Sequence, residues 1–279
     1  MIPASFNYVR PATLDEAIAA LASNEDLKIL SGGHSLIPAM KLRLAQPKTV
    51  VDISRIADLN YIRDEGAHIS IGAMATHHDI ESSALLKERC PLLPEVAAVI
   101  GDVQVRNRGT LAGSIVHADP AADWPAAILA LDAVMVIAGP GGRREVNAKQ
   151  FFVEMMQTAV QPNEILADIR VPLTAKSVAY VKAAQKASGF AIAGVAVVVD
   201  KFAKTVRIGV TGVSAKPFRA TAAERYLKGR DLDADAIAKA AARVAKDVEA
   251  LGDIHASAEF RLHLACVNTR RALGQAAPG

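Results

Sequence analysis

Apolar positions along the chain fall into short runs and helical stripes that alternate at first and segregate towards the C-terminus. Ala12–Leu21, preceded by Pro11 and followed by a polar turn, reads as a helix. Leu27–Leu30 is a short apolar run that ends at Ser31-Gly32-Gly33. Ser35 then stands where a cap belongs, ahead of a segment containing Pro38, Met40 and Leu42, with proline tolerated in a first helical turn. The local prediction is strand, tight glycine turn, helix. Thr49–Ile53 and Ala67–Ile71 add two strands, the second with alternating apolar positions. From His77 to Gly101 the pattern is helical in pieces, because Pro91 and Pro94 forbid one long helix.

A second glycine-bearing turn, Arg108-Gly109-Thr110-Leu111-Ala112-Gly113-Ser114, precedes a predicted helix over Ala121–Leu131, with Asp123 and Pro125 near its start. Val134–Ala138 is a strand, Gly139-Pro140-Gly141-Gly142 a turn, and Glu164–Val171 a further strand before Pro172. An internal boundary is expected within Leu173–Ser177, dividing the chain into 1–175 and 176–279. Beyond it, Val178–Lys186, Ala191–Asp200 and Thr205–Val213 are spaced for an antiparallel meander. Helices follow near Ala220–Leu227, Asp235–Glu249 and Ala258–Leu273. The fold class is α+β: a mixed first part, then a three-stranded antiparallel sheet with a helical C-terminal bundle.

Composition narrows this picture only modestly. The 279 residues suffice for one large or two smaller domains, and 51% hydrophobic with 22% charged residues describes an ordered chain. A formal charge of +3, with both signs interspersed, gives no footprint for nucleic acid. Two cysteines, Cys90 and Cys266, are too few for an all-cysteine iron–sulfur cluster or zinc site, and their apolar surroundings read as buried free thiols. No run of 18 apolar residues supports a transmembrane segment, and the first residues lack a signal-peptide pattern, so the cytoplasm is the default location.

The two glycine turns carry the chemistry. At Ser31-Gly32-Gly33-His34-Ser35 the paired glycines permit close backbone approach, and a helix start would aim N–H groups at an anion. Ser35 can add a hydroxyl donor. An ordinary strand-to-helix turn is the alternative for this loop taken alone; it is neither GxGxxG nor a Walker motif. The second loop repeats the chemistry, with Thr110 and Ser114 as hydroxyl donors and Gly109 and Gly113 as points of approach. Two such loops suit opposite sides of a pyrophosphate. Asp123 can accept from ligand hydroxyls or cap its own helix.

Together, Gly32-Gly33-His34-Ser35-Leu36 and Arg108–Ser114 resemble the FAD-binding medium subunit of carbon monoxide dehydrogenase and related xanthine dehydrogenase-type molybdenum hydroxylases. The resemblance continues through Asp119-Pro120-Ala121-Ala122-Asp123, Leu129–Ala133, Glu164-Ile165-Leu166 and Ile169–Pro172, and spans nearly the whole chain. It implies a two-part FAD-binding domain of the PCMH, or vanillyl-alcohol-oxidase-like, type in 1–175. It further implies that Ser31, Gly32, Gly33, His34, Ser35 and Leu36 meet the FAD pyrophosphate from one side. Gly109, Thr110, Ala112, Gly113 and Ser114 would enclose it from the other, with Asp123, Leu166 and Lys182 as further contacts. Ala112 and Leu111 stand where many relatives have glycine and isoleucine. Relatives oxidise a small molecule at a molybdenum–molybdopterin site in a large subunit. Electrons pass through two [2Fe–2S] clusters in a small subunit to FAD and on to an external acceptor. A dimer of heterotrimers, reaching the inner face of the membrane through its complex, is the assembly this implies.

Other motifs read as scaffold. His77-His78-Asp79 lacks a three-ligand spacing and reads as surface hydrogen bonding or helix capping. His34 can orient its loop without moving a proton, and His117-Ala118-Asp119 is equally ambiguous. Trp124 with Pro125 reads as a packed wedge, and Gly139–Arg144 as an exposed hairpin, since Pro140 has no backbone donor. Lys182, Lys186 and Phe190 are either flavin contacts or a solvent-facing lysine pair with a core phenylalanine. Two other functions stay open: a self-contained FAD oxidoreductase, and a nonredox subunit that has lost its cofactor.

Overall fold

The computed structural model describes residues 1–22, 26–174 and 177–277. The first lobe is a small parallel sheet of β1 (Asn7–Val9), β2 (Leu27–Leu30) and β3 (Thr49–Asp52), in the order β1-β3-β2. Parallel neighbours need crossovers, and helices α1 (Leu14–Ala22) and α2 (Leu36–Lys41) supply them. The first glycine turn is therefore the β2-to-α2 connection, as its sequence predicts.

β4 (Ile62–Asp64) and β5 (His68–Gly72) open a second sheet. Six short helices follow: α3 (His77–Ser82), α4 (Ala84–Arg89), α5 (Leu92–Ala98), α6 (Val103–Arg106), α7 (Leu111–His117) and α8 (Trp124–Ala130). The chain then returns as β6 (Val134–Gly139) and β7 (Gly142–Asn147), whose hairpin closes at Gly139 and Gly142. After α9 (Ala148–Phe151) and the small hairpin of β8 (Phe152–Glu154) and β9 (Gln157–Thr158), β10 (Ile165–Pro172) enters the centre. The result is a five-stranded antiparallel sheet ordered β4-β5-β10-β6-β7.

The C-terminal part holds β11 (Val178–Ala184), β12 (Ala191–Asp200) and β13 (Thr205–Thr211), the three expected strands, paired antiparallel in sequence order. A fourth, β14 (Phe218–Arg219), extends the edge; two residues are too few to leave a period-two signal. Helices α10 (Thr221–Leu227), α11 (Ala234–Ala241) and α12 (Ala258–Ala276) cover one face. α11 is shorter than the expected Asp235–Glu249, and Asp247 further on takes a φ of 63°, which no right-handed helix continues. The expected boundary at 175/176 falls outside the described residues.

Two cores result, and β12 serves both. Ala196 and Val198, with Tyr180 of β11, join the core of the preceding sheet and helices. Ala193, Val195, Val197 and Val199 face α10–α12. Both faces are covered, so the strand reads as an unbroken apolar run instead of an alternation. α8 is treated likewise: every residue from Trp124 to Ala130 is buried. β13 approaches it so closely at Gly209 that a side chain there would collide with the Ala126 carbonyl. Among the described residues no helix is long and apolar enough to cross a membrane.

Candidate functional site

The fold brings the two glycine loops together although Leu111 at the centre of the second lies 78 positions after Gly33 at the centre of the first. The Ser31 and Thr110 hydroxyls lie 2.8 Å apart, and the Ser31 hydroxyl also faces the Met74 sulfur at 3.2 Å. Gly32 rests on the second loop: a Cβ on it would stand 2.8 Å from the Gly109 Cα and inside the Arg108 carbonyl oxygen. Gly33 has a φ of 81°, a left-handed conformation that glycine takes at no steric cost. Thr110 caps α7, its hydroxyl accepting from the Gly113 N–H at 3.1 Å. Among the described residues, the N–H groups of Gly32, Gly33 and His34 on one loop, and of Thr110 and Ala112 on the other, donate to no protein acceptor. Ser35 begins α2 but makes no side-chain cap, contrary to the sequence expectation; its backbone is already helical, and its side chain is exposed. His34 is exposed, Leu36 half-buried, Ala112 buried and Ser114 half-buried.

Behind the second loop stands a chain of buried polar contacts. Gly109 accepts from the His77 N–H at 2.9 Å, and Thr76 and Thr110 form an antiparallel bridge. The His77 Nδ1 accepts from the Trp124 indole N–H at 3.1 Å. Next in sequence, Asp123 is 5% exposed and bonded to the Tyr180 hydroxyl at 2.5 Å and to Lys182 Nζ at 3.0 Å. Lys182 Nζ also reaches the carbonyls of Val99 and Gly189, each at 2.7 Å. Burial raises the Asp123 carboxyl above the usual carboxylate range, with Lys182 and Tyr180 pulling the other way. Asp123 does not cap α8: its side chain turns to the C-terminal sheet. Lys182 is not solvent-facing, whereas Lys186 is; Phe190 is 48% exposed, so it is no core residue. Leu166, 3% exposed, lies in β10, against which α7 packs.

A domain described as "FAD binding domain in molybdopterin dehydrogenase" matches residues 4–174, and one described as "CO dehydrogenase flavoprotein C-terminal domain" matches 178–276. The carbon monoxide dehydrogenase medium chain of Hydrogenophaga pseudoflava is 41% identical over 99% of this chain and 98% of its own. This chain belongs to the FAD-binding medium subunits of the carbon monoxide and xanthine dehydrogenase family. The glyceraldehyde dehydrogenase medium chain of Sulfolobus acidocaldarius is 35% identical over 99% of this chain and 100% of its own. A solved carbon monoxide dehydrogenase from H. pseudoflava, lacking the Mo-pyranopterin moiety of its cofactor, superposes with a TM-score of 0.95 at 42% identity, covering 99% and 98% of the two chains.

The loops suit the phosphates that an FAD-binding medium subunit has to hold. Gly32 and Gly109 approach one another where any Cβ would intrude, and the unpaired amides flank that contact. Sequence reasoning missed two parts of the site. His77, expected at the surface, is 4% exposed beneath Gly109; only Asp79 of that motif does the expected capping, with Thr76. A Thr-x-x-Asp capping signature at 76–79 was the available signal that this segment starts a helix. Tyr180 was missed although it lies two residues from Lys182, hence on the same face of β11.

Proposed function

We propose that this chain binds FAD with its pyrophosphate between Gly32–Leu36 and Gly109–Ser114, and that it relays electrons within a molybdenum hydroxylase. The observation that carries the proposal is the backbone contact of the two loops, with unpaired amides on both sides of it. FAD, when bound, supplies the redox chemistry: it takes up electrons and passes them on. The chain's own task is to hold and orient. Amides of Gly32, Gly33, Thr110 and Ala112 face the phosphate charge, and the hydroxyls of Ser35 and Ser114 are spare donors. Asp123 and Lys182 are proposed contacts to the hydroxyl-bearing part of FAD. Each is bonded to the other, so a ligand hydroxyl would share a carboxylate already held in place. Leu166 contributes through α7. No side chain of this chain needs to transfer a proton to substrate.

In the proposed assembly a large subunit holds molybdenum–molybdopterin, a small subunit holds two [2Fe–2S] clusters, and two such heterotrimers pair in the cytoplasm. The division at 175/176 is proposed to separate the FAD-binding part from the C-terminal part. Relatives named for carbon monoxide and for glyceraldehyde are both similar over the full length, which agrees with a substrate pocket in another chain. Native purification with flavin, iron, molybdenum and subunit analysis tests the reading. Co-purification of all three centres with two further chains is expected. A stable chain that neither retains nor rebinds FAD would overturn it.

A further inference from the structure

The grip on a pyrophosphate needs the two loops at a fixed separation, and the second loop is backed by a histidine. A Cβ on Gly109 would stand 2.7 Å from His77 Nε2 and 2.9 Å from its Cδ2, so the imidazole fills the space behind that glycine. Gly109 also touches the first loop, since a Cβ on Gly32 would stand 2.8 Å from the Gly109 Cα. First loop, Gly109, imidazole and indole are linked in succession, the His77 and Trp124 rings tilted at 47° with centres 5.7 Å apart.

Hydrogen bonding fixes the state of the ring. An indole N–H can only donate, so the His77 Nδ1 that accepts from Trp124 carries a lone pair, and the neutral ring keeps its proton on Nε2. Burial, then the nearby His34 and Arg106, push the ring down to about 4, so it is uncharged at neutral pH. Backbone contacts of the same segment, at Ala75, Thr76 and His77, stitch it to Leu111, Thr110 and Gly109.

Resting on the FAD reading above, we propose that His77 is a positioning residue: its Nε2 edge sets how far Gly109 stands from Gly32, and Trp124 locks the ring against rotation. His77 acts through Gly109 on the gap that receives the diphosphate of a dinucleotide.

The test uses the full chain, deflavinated and titrated with FAD by flavin fluorescence, with thermal unfolding measured alongside. His77→Asn keeps an acceptor for Trp124 but removes the Nε2 edge. Gly109→Ala fills the space that His77 occupies. Each is expected to weaken FAD binding about 10-fold. The double variant is expected to bind more tightly than Gly109→Ala alone, because the methyl enters the vacated volume. His77→Ala, which also strands the indole N–H, is expected to lose more stability than His77→Asn. Wild-type affinity in His77→Asn, or losses that simply add in the double variant, would overturn the inference while leaving the FAD reading intact. If His77→Asn fails to fold, His77→Gln, which returns a side-chain amide to the Nε2 position, decides it: FAD affinity near wild type is expected, and a loss of about 10-fold would overturn the inference. Failure of the wild-type chain to take up FAD would remove the reading and the inference together.

Discussion

The two glycine loops have similar composition and unlike surroundings. The first leaves β2, is half-buried or exposed along its length, and holds α2 with no side-chain cap. The second is buried at Gly109 and Thr110, capped by Thr110, bridged to Thr76 and backed by His77 and Trp124. The second loop is thus backed by the domain core, whereas the first is a more exposed turn with no side-chain cap behind it.

The contrast can be broken at the contact between the loops. Gly32→Ala drives a methyl into the Arg108 carbonyl, which is backbone and cannot rotate away. It is expected to cost about 3 kcal/mol, or about a hundredfold in FAD affinity by titration. Acid tests what backs the second loop. His77 has a folded pKa pushed down to about 4 from an ordinary 6.5, so the unfolded chain takes up the proton first. Its contribution to stability is complete above pH 6.5 and falls as pH drops towards 4, by about 2 kcal/mol between pH 7 and 5. Denaturant unfolding across that range should show the slope, and His77→Asn should flatten it. The smallest effects compare the two helix starts. Thr110→Ala removes a cap and the bond to Ser31, at about 1 kcal/mol. Ser35→Ala, which removes no cap, should stay within about 0.5 kcal/mol of wild type. Equal losses in the two variants would erase the asymmetry.

The sequence exposed the first loop well because everything needed was local: an apolar run, two glycines and a helix behind them. It also exposed the C-terminal strands, whose long apolar runs are visible without knowing what covers them. It hid what depends on contacts between distant segments. Asp123 read as either a ligand or a cap because nothing local reveals that Tyr180 and Lys182, more than 50 residues away, claim its carboxylate. His77 read as surface hydrogen bonding or helix capping because its segment offers no three-ligand spacing. Its burial follows from Trp124 and Gly109, which only the assembled fold brings to it. β14 was hidden for a different reason, being too short for any periodicity.

β12 and α8 each belong to both halves of the molecule. Cutting the chain near the predicted boundary would strip Ala196, Val198 and Tyr180 from the first core and leave the outer face of α8 bare. Neither half would then close its own apolar surface, so local opening of one half raises the free energy of the other. The molecule is expected to melt in a single cooperative transition, and a chain still emerging during synthesis has no finished first core until the strands of the C-terminal sheet are in place.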